Sequence, residues 1–90
     1  MAKKIFTREQ IVETVKSTIA EKLMEDVVNI SNSTNLSNDL CADSIDIISI
    51  VIDLEKEFGI HINDEKIDIM CGSCTVSQVA DIVEELLKEK

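Results

Sequence analysis

Ser44 stands directly after Asp43 and directly before an apolar run, in the stretch Leu40-Cys41-Ala42-Asp43-Ser44-Ile45. A hydroxyl at the start of a helix sits where unpaired backbone N–H groups and the positive end of the helix dipole favour a phosphate group. Serine in that position also caps helices without doing any chemistry, and both readings are compatible with the residues alone. Nucleophilic catalysis requires a base beside the hydroxyl. The chain has one histidine, His61, and it lies beyond the far end of the helix that Ser44 would begin. Ser44 is therefore read as a point of attachment or a cap rather than a hydrolytic nucleophile, and nothing else in the chain suggests a catalytic centre.

Cys71 and Cys74 form a C-x-x-C pair, a spacing used in redox exchange and in metal binding. Cys41 and His61 would complete four ligands only if the fold gathered them. Plain reduced thiols are the expectation, with no metal. His61, between Ile60 and Ile62, reads as a loop residue beside a buried isoleucine.

These residues must be positioned by a chain of 90 residues, which makes one domain spanning 1–90. At this size only about 60% of the unfolded surface is buried on folding, so stability should be modest. An apolar fraction of 44%, no proline and only two glycines favour helices joined by polar loops. Aspartate and glutamate outnumber lysine and arginine by 18 to 9. That balance excludes nucleic acid as a partner and points to basic protein surfaces. The start, Met1-Ala2-Lys3-Lys4-Ile5-Phe6, has charge but no apolar run behind it, so no export signal is expected. With no stretch long enough to span a membrane and three unpaired thiols, the expected setting is the cytoplasm and the expected state a monomer.

Four helices follow from the pattern. Thr7 and Gln10 form a capping box ahead of Ile11, Val12, Val15, Ile19 and Leu23, which recur at helical spacing. The pattern fades near Met24 and Glu25. Residues 27–40 are a long polar connection, held down by Ile30, Leu36 and Leu40. A second helix runs from Ser44 to Phe58 and stops at Gly59. Asn63 or Asp64 caps a short third helix through Glu65, Ile67 and Ile69. The last begins near Thr75, with Gln78 three residues on and Val76, Val79, Ile82, Val83 and Leu86 on one face. The fold class is all-α: a four-helix bundle of three longer helices and one short one, with a long loop between helices 1 and 2. Its core should include Ile11, Val15, Ile19, Ile50, Leu54, Phe58, Val79, Ile82 and Val83.

The second helix has more apolar surface than one core face requires. At about 100° per residue, Ile47, Ile50, Val51, Leu54 and Phe58 share a core-facing stripe. Ile45, Ile48 and Ile52 make a second stripe, with Asp46, Asp53 and Glu57 aligned beyond it. A central helix would bury both. A helix on the outside of the bundle would leave the second stripe as a docking surface whose carboxylates choose partners.

The chain resembles an acyl carrier protein. The likeness rests on Asp39-Leu40-Cys41-Ala42-Asp43-Ser44-Ile45-Asp46 against the family's D-L-G-A-D-S-L-D core. It continues through Leu54-Glu55-Lys56-Glu57-Phe58 and Ile62-Asn63-Asp64-Glu65 against L-E-x-x-F-x-x-x-I-x-D-E. The resemblance implies a non-catalytic carrier in which Ser44 receives 4′-phosphopantetheine from coenzyme A through a separate phosphopantetheinyl transferase, with Asp43 helping to present the site. The arm's thiol would hold acyl groups as thioesters and deliver them to acyl-transferring and acyl-processing enzymes with basic docking surfaces. Their chains would enter a cleft between the helices. The pathway would be fatty-acid synthesis or a specialised acyl or polyketide route. The alternatives are an aminoacyl or peptidyl carrier, and a helical adaptor that carries nothing. Departures from the pattern are Cys41 for glycine, Ile45 for leucine, Ser49 for glutamate, Asn63 for proline, and a longer link through Met70-Cys71-Gly72-Ser73-Cys74.

Overall fold

A computed structural model describes residues 6–89. The reading of the first residues as lacking an export signal falls largely on 1–5, outside the described residues. Four α-helices follow one another: α1 (Arg8–Leu23), α2 (Ser44–Phe58), α3 (Asp64–Cys71) and α4 (Val76–Lys88). Among the described residues there is no strand, only an isolated bridge pairing Asn35 with Thr75.

Each helix begins on the side chain the pattern predicts, or on its neighbour. Thr7 and Gln10 exchange bonds across the first turn of α1, and Thr75 and Gln78 do the same for α4. Asn63, rather than Asp64, caps α3, accepting from the Lys66 N–H at 2.9 Å. Two left-handed residues end the longer helices at the start of the chain: Met24 after α1 and Gly59 after α2.

α1 packs on α4 and on α2, and α2 also carries α3. All nine residues expected in the core are buried, joined by Ile47, Val51, Ile62, Met70, Cys74 and Val76. Phe6 closes one end, edge-on to Phe58 with ring centroids 4.8 Å apart. Three ion-pair sets tie helix to helix at the surface. Arg8 reaches Asp81 at 2.8 Å and Glu84 at 3.3 Å, Lys22 reaches Asp53 at 3.3 Å, and Lys66 reaches Glu85 at 3.3 Å.

The structure adds one local turn and corrects one boundary. The polar connection contains a short 3-10 turn at Val27–Asn29, started by Asp26, whose carboxylate accepts the Val28 N–H. Short 3-10 pieces lack the apolar periodicity that marks longer helices, so the pattern could not show it. The third helix also runs two residues past Ile69. Met70 and Cys71 thus belong to α3 and only Gly72, Ser73 and Cys74 remain as link. Met70 is fully buried and draws the helix on.

The long connection is pinned as the pattern requires: Ile30 and Leu36 are buried and Leu40 packs partly against the core. Its backbone also has work at the start of α4. The N–H groups of Val76 and Ser77, orphaned at that helix start, bond to the carbonyls of Thr34 at 3.0 Å and Asn32 at 2.9 Å. Leu36 N–H bonds to the Cys74 carbonyl at 2.9 Å, and the Asn35 amide reaches the Ser73 hydroxyl at 2.8 Å. The connection is thereby fixed on α4 while its end delivers the chain to α2.

Candidate functional site

The approach to Ser44 is a series of tight turns. The Asn35 side-chain oxygen accepts the N–H groups of Ser37 and Asn38, and the Asn35 N–H bonds to the Asp39 carboxylate at 2.8 Å. Ala42 N–H then returns to the Leu36 carbonyl at 2.9 Å. Between these bonds the backbone turns through Cys41 at φ 59°, the left-handed region where glycine is the usual occupant. The position where the resemblance has glycine is thus one where the backbone calls for it.

α2 is not capped by Ser44. Asp43 is the cap: its carboxylate accepts the Asp46 N–H at 2.9 Å, and the Asp46 carboxylate accepts the Asp43 N–H at 3.2 Å. This choice between the two caps matters chemically. A capping serine has its oxygen engaged by the helix; Ser44 is the first helical residue, exposed, and its hydroxyl has no hydrogen-bond partner among the described residues. The reciprocal D-x-x-D pair was present in the sequence but disguised by aspartate, one methylene shorter, at the position where glutamate or glutamine is usual.

The N–H groups of Ser44 and Ile45 find no acceptor among the described residues either. They point out of the helix N-terminus with the dipole behind them, so a phosphodiester on the Ser44 oxygen meets donors of the right kind. The residues present therefore fit a phosphate-linked group at Ser44. His61, the sole histidine, is 86% exposed and sits past the opposite end of α2, 3.4 Å from Glu55. A helix of fifteen residues is roughly 22 Å long, which places the imidazole far from Ser44.

The second stripe of α2 faces solvent: Ile45 is 74% exposed, Ile48 47% and Ile52 45%. The core stripe, Ile47, Ile50, Val51, Leu54 and Phe58, is wholly buried, so α2 sits on the outside of the bundle. The carboxylates divide. Asp46 belongs to the capping box, Asp53 is drawn towards α1 by Lys22, and Glu57 lines a groove shared with α1. Of these three aligned carboxylates, only Asp53 is ion-paired among the described residues.

The cysteines are not brought together as a site. Cys74 is completely buried, its thiol 3.6 Å from the Thr75 carbonyl, and burial pushes its pKa up from 9.0 to about 11. Cys41 and Cys71 are exposed. Among the described residues no cluster of three or more histidine, cysteine, aspartate or glutamate side chains is arranged to hold a metal ion. Cys71 is the last residue of α3, and Cys74 lies in the link before α4.

The exposed hydroxyl of Ser44 at the N-terminus of α2 fits a chain that bears a phosphate-linked group there. Comparison with known proteins agrees. A family described as phosphopantetheine attachment site matches residues 13–83. The chain is 37% identical to an acyl carrier protein of Thermotoga maritima over 83 residues, covering 92% of this chain and 95% of that one. It is 38% identical to an acyl carrier protein of an Exiguobacterium species over 81 residues, covering 90% and 99%. The chain belongs to the phosphopantetheine-bearing acyl carrier family. Members of that family are carriers rather than catalysts, and they hold 4′-phosphopantetheine covalently. Among the described residues no helix is long and apolar enough to cross a membrane.

Proposed function

We propose that Ser44 is the residue that takes 4′-phosphopantetheine, and that residues 1–90 act as one carrier domain that catalyses nothing itself. The observation that carries this reading is the exposed Ser44 hydroxyl, left free because Asp43 does the capping. In the transfer, the Ser44 oxygen attacks the phosphorus of coenzyme A nearest the pantetheine, the hydroxyl proton leaves, and adenosine bisphosphate departs. The arm's thiol then holds acyl groups as thioesters. Asp43 orients the first turn of α2 and presents Ser44 to the transferase.

Ile45, Ile48 and Ile52 form the docking face for the transferase and for acyl-transferring and acyl-processing enzymes. Asp46, Asp53 and Glu57 supply the surrounding negative field that draws basic surfaces in. Because Asp46 and Asp53 also hold the fold together, charge reversal there confuses docking with stability. Ile45→Ser is the cleaner probe: it should weaken capture by a transferase and leave the circular dichroism spectrum unchanged. Unweakened capture would remove the stripe from the docking face.

The cargo is an acyl chain of fatty-acid synthesis or of a specialised acyl or polyketide route, handled in the cytoplasm. Entry of its tail among the helices is favoured by a core built of isoleucine, valine and leucine side chains. Core amide protection that changes when the arm is acylated supports such entry, and unchanged protection excludes it. Incubation with coenzyme A, magnesium and a promiscuous transferase separates the classes. A mass gain of one arm identifies a carrier, and no gain leaves an adaptor. Offering the loaded protein to acyl ligases and to aminoacyl ligases then decides between acyl and aminoacyl cargo.

A further inference from the structure

Glu57 and the 3-10 turn also line a groove that neither Ser44 nor the isoleucine stripe enters. A surface groove of about 710 Å³ lies between α1, the turn at Val27–Asn29 and the last turn of α2. Val27 and Val28 form its apolar lip, and Glu13, Glu21 and Glu57 stand in its lining with a single cation, Lys16. Val28 is 80% exposed and Val27 44%, although Ile30 on the same stretch is buried. None of the three carboxylates is ion-paired among the described residues, whereas Asp53, one turn earlier on α2, is held by Lys22.

Exposed valines beside unpaired carboxylates around a concavity match the two ends of a long cationic side chain. Its aliphatic stem lies on apolar surface while its head meets carboxylates. The net charge of −9 draws the same kind of partner from a distance. At about 100° per residue, Glu57 lies roughly 150° around α2 from the middle of the isoleucine stripe, so an occupant of one face does not cover the other. We propose that this groove docks a basic segment of a partner protein, an arginine- or lysine-bearing stretch with an apolar residue beside it. The carrier would then be gripped on one face while the isoleucine stripe stays open to a second protein. The proposal stands independently of what Ser44 carries.

The test titrates the 15N-labelled full chain with synthetic peptides. One combines lysines with leucines, one replaces the lysines by glutamates, and one keeps the lysines but replaces the leucines by serines. Amide shifts at residues 13–21, 27–30 and 57 with the lysine–leucine peptide alone are expected. The affinity should fall about tenfold in the Glu21→Gln/Glu57→Gln double variant, as for the loss of two exposed charge contacts. Val28→Ser should also weaken binding with an unchanged circular dichroism spectrum. Shifts centred on residues 45–52, shifts spread over all surface carboxylates, equal binding of the lysine–serine peptide, or indifference to the double variant would each overturn the proposal.

Discussion

Cys41 and Cys74 show how one residue type takes opposite roles within a short chain. Cys41 holds a left-handed backbone that its Cβ resists, at a cost of about 1–2 kcal/mol relative to a residue without one. Cys41→Gly should therefore stabilise the fold by about 1 kcal/mol, raising the melting temperature by roughly 4–8 °C for a domain of this size. A thermal melt checks this, and a lower melting temperature would mean that the cysteine side chain has a compensating contact. Cys74 is buried in the core, with its thiol pKa raised from 9.0 to about 11. Between those values the unfolded chain loses the thiol proton and the folded chain keeps it. Stability should consequently fall as pH rises through that interval, by on the order of 2–3 kcal/mol in total. Denaturant melts at pH 8 and pH 11 should show a steeper loss for the parent than for Cys74→Ala; parallel losses would show that other groups drive alkaline unfolding.

The element on which most depends is α2, and its first turn serves two purposes. Asp43 and Asp46 close the helix start on each other, which leaves Ser44 free between them. Asp43→Ala removes an N-cap and should destabilise the protein by about 1 kcal/mol, within the range for such caps. Asp43→Asn, which still accepts the Asp46 N–H, should lose little stability while slowing arm transfer if Asp43 also serves the transferase. Denaturant melts and a loading time course separate these effects, and equal losses in both variants would show that the charge itself stabilises the helix.

Helix boundaries were legible because caps and apolar spacing agreed: Thr7 with Gln10, Gly59 after Phe58, Thr75 with Gln78. The core followed from the same spacing, down to Phe58 and Val83. The sequence did not reveal which side chain capped α2, because serine and aspartate are equally good caps and only geometry chooses between them. It also could not divide the carboxylates of α2. Helical angle places Asp46, Asp53 and Glu57 together, but Lys22, distant in sequence, determines where Asp53 points. The 3-10 turn and the groove beside it depend on tertiary contacts that no local pattern encodes.

At the scale of the whole molecule, charge opposes compactness. Aspartate and glutamate exceed lysine and arginine by 18 to 9, while Arg8, Lys22 and Lys66 are already engaged between helices. Screening should relieve more repulsion than it costs in surface ion pairs, which are individually weak. Raising sodium chloride from about 0.01 M to about 0.15 M, where the Debye length shrinks from about 30 Å to about 8 Å, should raise the melting temperature. A flat or falling melting temperature would show that the interhelical ion pairs outweigh the net charge. The same net charge of −9 gives the molecule a long-range field that attracts basic surfaces.

The central claim is that Ser44 is the attachment point. Loading the full chain from coenzyme A with a promiscuous transferase, followed by proteolysis and fragmentation mass spectrometry, tests it most directly. The account predicts one arm per chain, borne on the peptide that contains Ser44, and no gain in Ser44→Ala. An arm on a peptide lacking Ser44, or one retained in Ser44→Ala, would contradict it.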